Sequence, residues 1–363
     1  MGKISERIEE MLKMYYVNED VKNLNRIFDQ NLREGYLRMD LNENPVGLPQ
    51  EFINKVLSDV SPEFVAKYPE TEPFQRFLAN YIGVSRDEIC LTNGSAEAIR
   101  HIFECYSRPG GKIVSVAPSY AMYEVFAKMY GRIHVPVAYK DEFHVDIEDI
   151  LAAIDDDVDI VVVLNPNNPV GDVHSEEDVQ RIIDKAKQHE ATVLIDEAYY
   201  YFYPKTFVHF ALENDHVFLT RTFSKVFSLA GCRLGYLVGK KEGVQLVQKL
   251  CTPHNVNAFS MKFAQTILET PGMIDDLVNI QLEGRSYLID TLKQKGYNVA
   301  ESKGNFVFIE TKTDAGEVAK KLKDNKILVK YYPNSKYSKF IRVSIGEKAV
   351  IEKFLEVFYK IDQ

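Results

Sequence analysis

Lys225 is the residue around which the chemistry of this chain can be organised. It closes the stretch Arg221-Thr222-Phe223-Ser224-Lys225, and Arg233 stands eight residues further on. An amine beside a guanidinium loses its proton more readily, and the free amine is a nucleophile toward carbonyl carbon. Thr222, Ser224 and Arg233 contribute hydroxyls and a fork of N–H donors, a set suited to a phosphate. Gly94-Ser95, where the pattern turns helical, would offer the same anion free backbone N–H groups and a positive dipole end. Tyr120 has an aromatic face for a planar ring. Asp196 puts a carboxylate just beyond an apolar run. A phosphate, a flat ring, a ring nitrogen in need of an anion and an aldehyde in need of an amine describe pyridoxal 5′-phosphate.

Such groups work only if something brings them together. Short apolar runs occur at residues 89–91, 113–116, 133–137, 160–164, 193–195 and 217–219. Helix-period stretches lie between them at 95–107, 119–130, 147–154 and 175–189. Near-continuous apolar strands alternating with amphipathic helices indicate an α/β fold with a parallel sheet covered on both faces. Ser175 followed by Glu176, Glu177 and Asp178 reads as a helix start. Ligands of such sheets bind beyond the carboxyl ends of the strands. The polar clusters at Asn93-Gly94-Ser95, Pro118-Ser119-Tyr120, Asn165 to Gly171, Asp196 to Tyr199 and Arg221 to Lys225 each follow one of these runs. Beyond Pro271-Gly272 the pattern changes to a long helix, at about 274–295, and short strands near 305–309, 327–331 and 340–344. This is the pattern of a smaller α+β domain. A strand is expected at 37–41, after one or two short amphipathic helices within residues 1–31.

Bulk properties narrow the function. A chain of 363 residues with 45% hydrophobic content can bury a large core and suggests two domains. A formal charge of -9 argues against nucleic acid as a partner, so any anion must be captured locally. No apolar run is long enough to cross a membrane. Residues 1–17 are charged throughout and lack the apolar core of a secretory leader, so a cytoplasmic location is expected. The four cysteines, Cys90, Cys105, Cys232 and Cys251, form no metal-ligand spacing; they are expected to be reduced and mostly buried, and no metal is expected.

Taken singly, each motif has a plain structural reading. Asp196-Glu197-Ala198-Tyr199 could cap a helix, Asn165-Pro166-Asn167-Asn168-Pro169 could be an ordinary turn, Lys225 a surface lysine and Arg342 an exposed ion pair. Only jointly do these readings fail, because they do not explain one rim and one order. Rival ligands fare worse. The nearest phosphate-loop candidate, Gly235 to Lys240, is one residue short and lacks the terminal Ser or Thr. No Gly-x-Gly-x-x-Gly opens a helix after a strand.

The ordered set resembles the fold-type-I aminotransferases of classes I and II, nearest the histidinol-phosphate aminotransferase branch. The segments that carry the likeness are Leu41 to Gly47, Lys67-Tyr68-Pro69, Asn93 to Glu97, Pro118 to Tyr123, Asn165 to Gly171, Asp196 to Tyr199, Arg221 to Arg233 and Ile341 to Gly346. The resemblance implies an N-terminal arm (1–45), a large cofactor-binding domain with a mostly parallel seven-stranded sheet (46–272) and a small α+β domain (273–363) against which the arm packs. It implies that Lys225 holds pyridoxal phosphate as a Schiff base and moves the substrate's proton. Asp196 would pair with the ring nitrogen, Tyr199 and Asn168 with the phenolic oxygen, and Tyr120 would stack on the ring. Ser95, the backbone N–H of Ala96, Thr222, Ser224 and Arg233 would hold the phosphate. Tyr68 would reach the cofactor of a partner subunit in a homodimer with shared sites. Arg342, Asn44 and Lys330 would meet the substrate, although the branch usually carries arginine at the position of Lys330. The implied reaction is amino transfer between an amino acid and a keto compound, with histidinol phosphate and imidazole acetol phosphate, and glutamate and 2-oxoglutarate, as the expected pairs. The alternatives are decarboxylation of an amino-acid phosphate on the same cofactor apparatus, or amino transfer to another amino acid or phosphorylated keto compound.

Overall fold

The computed structural model describes residues 16–22, 24, 33–141, 143–333 and 335–363. Most of the expected N-terminal amphipathic segment lies outside these residues; within them, Glu19–Lys22 is helical. A seven-stranded sheet has the order β2-β8-β7-β6-β5-β3-β4. Its strands are β2 (Ile89–Thr92), β3 (Lys112–Ala117), β4 (Ile133–Ala138), β5 (Val158–Leu164), β6 (Thr192–Asp196), β7 (Val217–Thr222) and β8 (Gly235–Val238). Every residue of β5, β6 and β7 is buried, as both-face coverage by helices requires. At the edge, β4 is largely exposed and tolerates Pro136, whose missing N–H costs nothing on an unpaired side.

The helices follow from local chemistry. Glu176–Gln188 begins at Ser175, whose Oγ accepts from the Asp178 N–H at 3.0 Å while the Asp178 carboxylate accepts from the Ser175 N–H. Its buried face is Val179, Ile182, Ile183 and Ala186, spaced as one side of a helix.

One strand went unforeseen. Gly235–Val238, whose sequence resembles only a phosphate loop cut short, forms β8, antiparallel to both β2 and β7. Three apolar residues between two glycines carry no periodicity that separates a strand from a loop; its two partners define it. The seven strands thus comprise six parallel ones and one reversed.

A second sheet has the order β1-β10-β11-β9, from β1 (Leu37–Met39), β9 (Phe306–Glu310), β10 (Ile327–Tyr331) and β11 (Phe340–Ser344). Here β1 runs parallel to β10, so the segment before residue 40 completes a sheet built from the C-terminal third. The helices Met273–Gln294 and Lys348–Ile361 pack on each other beside it. Of the four thiols only Cys90 is fully buried; the other three are half-buried, which corrects the expectation of a mostly buried set. No disulfide joins them, although the Sγ atoms of Cys90 and Cys251 lie 3.7 Å apart.

Candidate active site

The carboxyl ends of β2, β3, β5, β6 and β7 and the start of β8 lie along one rim of the large sheet. A cavity of about 390 Å³ opens there. Nine of the expected residues line it: Ser95, Ala96, Tyr120, Asp196, Tyr199, Thr222, Ser224, Lys225 and Arg233.

One end of the cavity is an anion cradle. The helix Ser95–Tyr106 starts at Gly94, which has φ 80° and supplies no side-chain cap. The first N–H groups of a helix have no intrahelical acceptor and leave a partial positive charge facing outward. Arg233, itself in the left-handed region at φ 56°, lays its guanidinium against Gly94; a Cβ there would sit 2.6 Å from Nη2. Gly235 permits a second close approach, since a Cβ on it would lie 2.4 Å from the Ser95 nitrogen. The Thr222 Oγ accepts from the Ser224 N–H at 3.1 Å and donates to the Ser224 Oγ at 3.0 Å. Two glycines therefore hold backbone N–H groups, hydroxyls and a guanidinium around one small volume.

Asp196 lies deeper. It is buried, and its carboxylate accepts from the Tyr123 hydroxyl at 2.7 Å, the Ala198 N–H at 3.1 Å and the Thr220 hydroxyl at 3.3 Å. Burial pushes its pKa up to about 6 despite these donors. A carboxylate in this state gains strongly from a cation placed beside it. Lys225 points into the same space, and its Nζ donates to the Leu41 carbonyl at 2.9 Å. Burial, followed by the nearby Arg342, pulls its pKa down to about 8. The Tyr199 hydroxyl accepts from Asn42 Nδ2 at 2.9 Å, and burial raises its pKa.

The five remaining expected residues, Asn168, Arg342, Lys330, Asn44 and Tyr68, are not among those that line the cavity. Arg342 is buried on β11 and donates to the Asn168 side-chain carbonyl and to the Asp40 backbone carbonyl. This contact ties the Asn165–Gly171 turn to the small sheet. Lys330 pairs in register with Arg342 across β10 and β11, and burial and that guanidinium lower its pKa. Asn44 turns away from the cavity, donating to the Ser228 hydroxyl at 2.8 Å and the Gly47 carbonyl at 3.2 Å. Tyr68 is elsewhere altogether: it is 80% exposed, stacks on His254 at 4.7 Å and borders a separate surface groove.

The family model described as Aminotransferase class I and II matches residues 34–358. The chain belongs to that family. This aminotransferase is 34% identical over 318 residues to the histidinol-phosphate aminotransferase of Thermoanaerobacter pseudethanolicus, covering 86% of the chain and 89% of the relative. It is 32% identical over 324 residues to the enzyme of the same name from Caldanaerobacter subterraneus, covering 88% and 91%. Among solved structures it is similar to the histidinol-phosphate aminotransferase of Clostridium acetobutylicum, with TM-score 0.81, 27% identity and coverage of 90% and 98%. It shares its fold with that from Sinorhizobium meliloti in complex with pyridoxal-5′-phosphate, with TM-score 0.85, 20% identity and coverage of 95% and 98%.

Pyridoxal phosphate is the cofactor of this aminotransferase, and the cavity suits it. The glycine-lined cradle accommodates a phosphate, and the buried Asp196 can offset a protonated ring nitrogen. Lys225, with its lowered pKa, can supply an amine. Two further residues shape this geometry. Tyr123 lies in the first turn of the helix Met122–Met129, and its hydroxyl orients Asp196. Asn42, at φ 56°, bonds Tyr199, donates its backbone N–H to the Ser344 hydroxyl and accepts from the Asn305 amide at its carbonyl. Both stood inside segments singled out for the family likeness, which was the one signal available.

Proposed function

We propose that this aminotransferase moves an amino group between an acidic amino acid and a phosphorylated keto compound, with histidinol phosphate and imidazole acetol phosphate as the phosphorylated pair. The observation that carries the reading is the convergence of Lys225, Asp196, Tyr199 and the Gly94–Arg233 cradle on one cavity. The names of the relatives at 34% and 32% identity support the substrate.

Bound pyridoxal phosphate supplies an aldehyde for the amino group and a ring that draws electrons away from the substrate Cα. In our reading, Ser95, the Ala96 N–H, Thr222, Ser224 and Arg233 hold its phosphate. Tyr120 covers the ring and Asp196 faces its nitrogen, held in orientation by Tyr123 and Thr220. Tyr199 and Asn168 bond the phenolic oxygen. Lys225 Nζ, whose burial favours the neutral amine, would carry the proton from the substrate Cα to the cofactor's C4′, so that the amino group stays with the cofactor when the keto product leaves. Arg342 takes the substrate carboxylate or its counterpart. Lys330 completes the substrate side, Asn44 being engaged by Ser228 and Gly47 instead, and Tyr68 serves the site of a second copy in a homodimer.

A half-reaction tests the proposal. Mixing the cofactor-loaded protein with histidinol phosphate or glutamate should convert the cofactor's aldehyde absorbance to that of its amine form, and a keto acid should restore it. Release of carbon dioxide with the aldehyde form retained would identify a decarboxylase instead.

A further inference from the structure

Arg38 sits at the mouth of the active-site cavity on β1, and Glu43 lies beside it. The two form an ion pair through Arg38 Nη2 and Glu43 Oε1. Each is left incomplete: Arg38 Nε and Glu43 Oε2 are shielded from water and have no partner. Side-chain exposures of 41% and 22% put the pair near the surface, where ion pairs contribute little to stability. It is therefore easily exchanged, and its unsatisfied atoms favour exchange with a ligand that bonds more of them.

The sheet register shows what else faces the same way. Arg38 is paired with Leu328 in the parallel β1–β10 ladder. Lys330 follows Leu328 by two residues, so it shares that face, and Arg342 is paired with Lys330 across β11. Arg38, Lys330 and Arg342 thus occupy one face of the small sheet. In a chain of net charge -9, three cations on one face of a sheet that reaches the cavity through Arg38 make a local anion trap that the global field cannot provide.

We infer that Arg38 is a specificity-determining residue that leaves Glu43 to bind a second, distal anionic group of the substrate. Resting on the aminotransferase reading, the assignment adds a recognition residue to the cations on β10 and β11. A guanidinium suits either a phosphate ester or a carboxylate, taking two oxygens at once. Glu43 holds Arg38 in place while no substrate is present and competes with the substrate when one arrives. A neutral substrate offers nothing to displace it.

The test compares matched substrates in the cofactor-loaded enzyme: histidinol phosphate against histidinol, and glutamate against alanine. Half-reaction kcat/KM is measured for wild type, Arg38→Gln, Arg38→Lys and Glu43→Gln. The acidic-to-neutral ratio should fall about 10- to 100-fold in Arg38→Gln, the size of a lost charge-assisted contact. Arg38→Lys should restore part of it. Glu43→Gln should lower KM for the acidic member of the affected pair several-fold. A fall confined to the histidinol pair assigns the distal group as phosphate, and one confined to the glutamate pair assigns it as carboxylate. Unchanged ratios in both pairs, with wild type active, would overturn the role of Arg38 alone. Failure of wild type with all four amines would overturn the proposed substrates and this inference with them.

Discussion

Gly235→Ala tests whether the anion cradle depends on backbone contact. A Cβ at residue 235 would lie 2.4 Å from the Ser95 nitrogen, 2.6 Å from the Gly94 carbonyl carbon and 2.9 Å from the Arg221 oxygen. Non-bonded heavy atoms settle at about 3.5 Å or more, so the shortfall is roughly 1 Å. All three opposing atoms are backbone, so no side chain can swing aside. Either the start of the helix Ser95–Tyr106 moves outward or β8 shifts against β2 and β7. Overpacking of this kind costs about 1–3 kcal/mol. At about 2–4 °C per kcal/mol for a domain of this general size, Tm should drop by about 2–12 °C. The displaced N–H groups are those that, in our reading, would face the cofactor phosphate. Loss of one charge-assisted hydrogen bond, worth about 1.5–3 kcal/mol, should weaken cofactor affinity about 10- to 100-fold. Fluorescence titration of the cofactor-free protein with pyridoxal phosphate measures the second effect, and thermal unfolding the first. A variant that kept its Kd within about threefold and its Tm within about one degree would refute the argument that this glycine sets the cradle.

Further predictions concern proton inventory and assembly. Lys225, with its pKa near 8, should have about one-tenth of its amine free at pH 7, against about 1 in 3,000 for an ordinary lysine. Borohydride-trapped labelling of the cofactor-free protein by an uncharged aldehyde should therefore reach half its maximal rate at residue 225 near pH 8, and a midpoint above 10 would contradict the assignment. Asp196 binds its proton more tightly folded than unfolded, so its ionisation weakens the cofactor-free fold as pH rises from about 4 to about 6, by about 3 kcal/mol in all. The Tm of Asp196→Asn relative to wild type should rise across that window and then level off, while turnover falls by ~10²-fold; a pH-independent difference would show that the carboxyl is not the titrating group. Mixing Tyr68→Phe with Lys225→Ala chains should recover about a quarter of wild-type activity if each site of a two-fold dimer takes one residue from each copy. No recovery on verified mixing would return Tyr68 to a role within its own subunit.

Much of this protein was legible along the chain, because its signals are local. Ser175 and Asp178 cap a helix through contacts three residues apart. The runs in β5, β6 and β7 are apolar because both faces are covered, and the polar residues after them fall at one rim because parallel strands end on one side. Lys225, Asp196 and Arg233 could therefore be placed at a common cavity from their order alone. The family likeness supplied the seven-stranded sheet, since β8 has too few residues to declare itself. Other features depend on distance in sequence being cancelled by folding. The Asn168–Arg342 bond joins residues 174 apart, Asn42 and Ser344 meet across 302, and β1 enters a sheet from the far end of the chain. The lowered pKa of Lys225 follows from desolvation and from Arg342, neither of which exists in the extended chain. Nor does the orientation of Asn44 toward Ser228, or of Tyr68 toward His254, follow from residue type, since an asparagine or tyrosine bonds whichever partner the tertiary structure brings within reach.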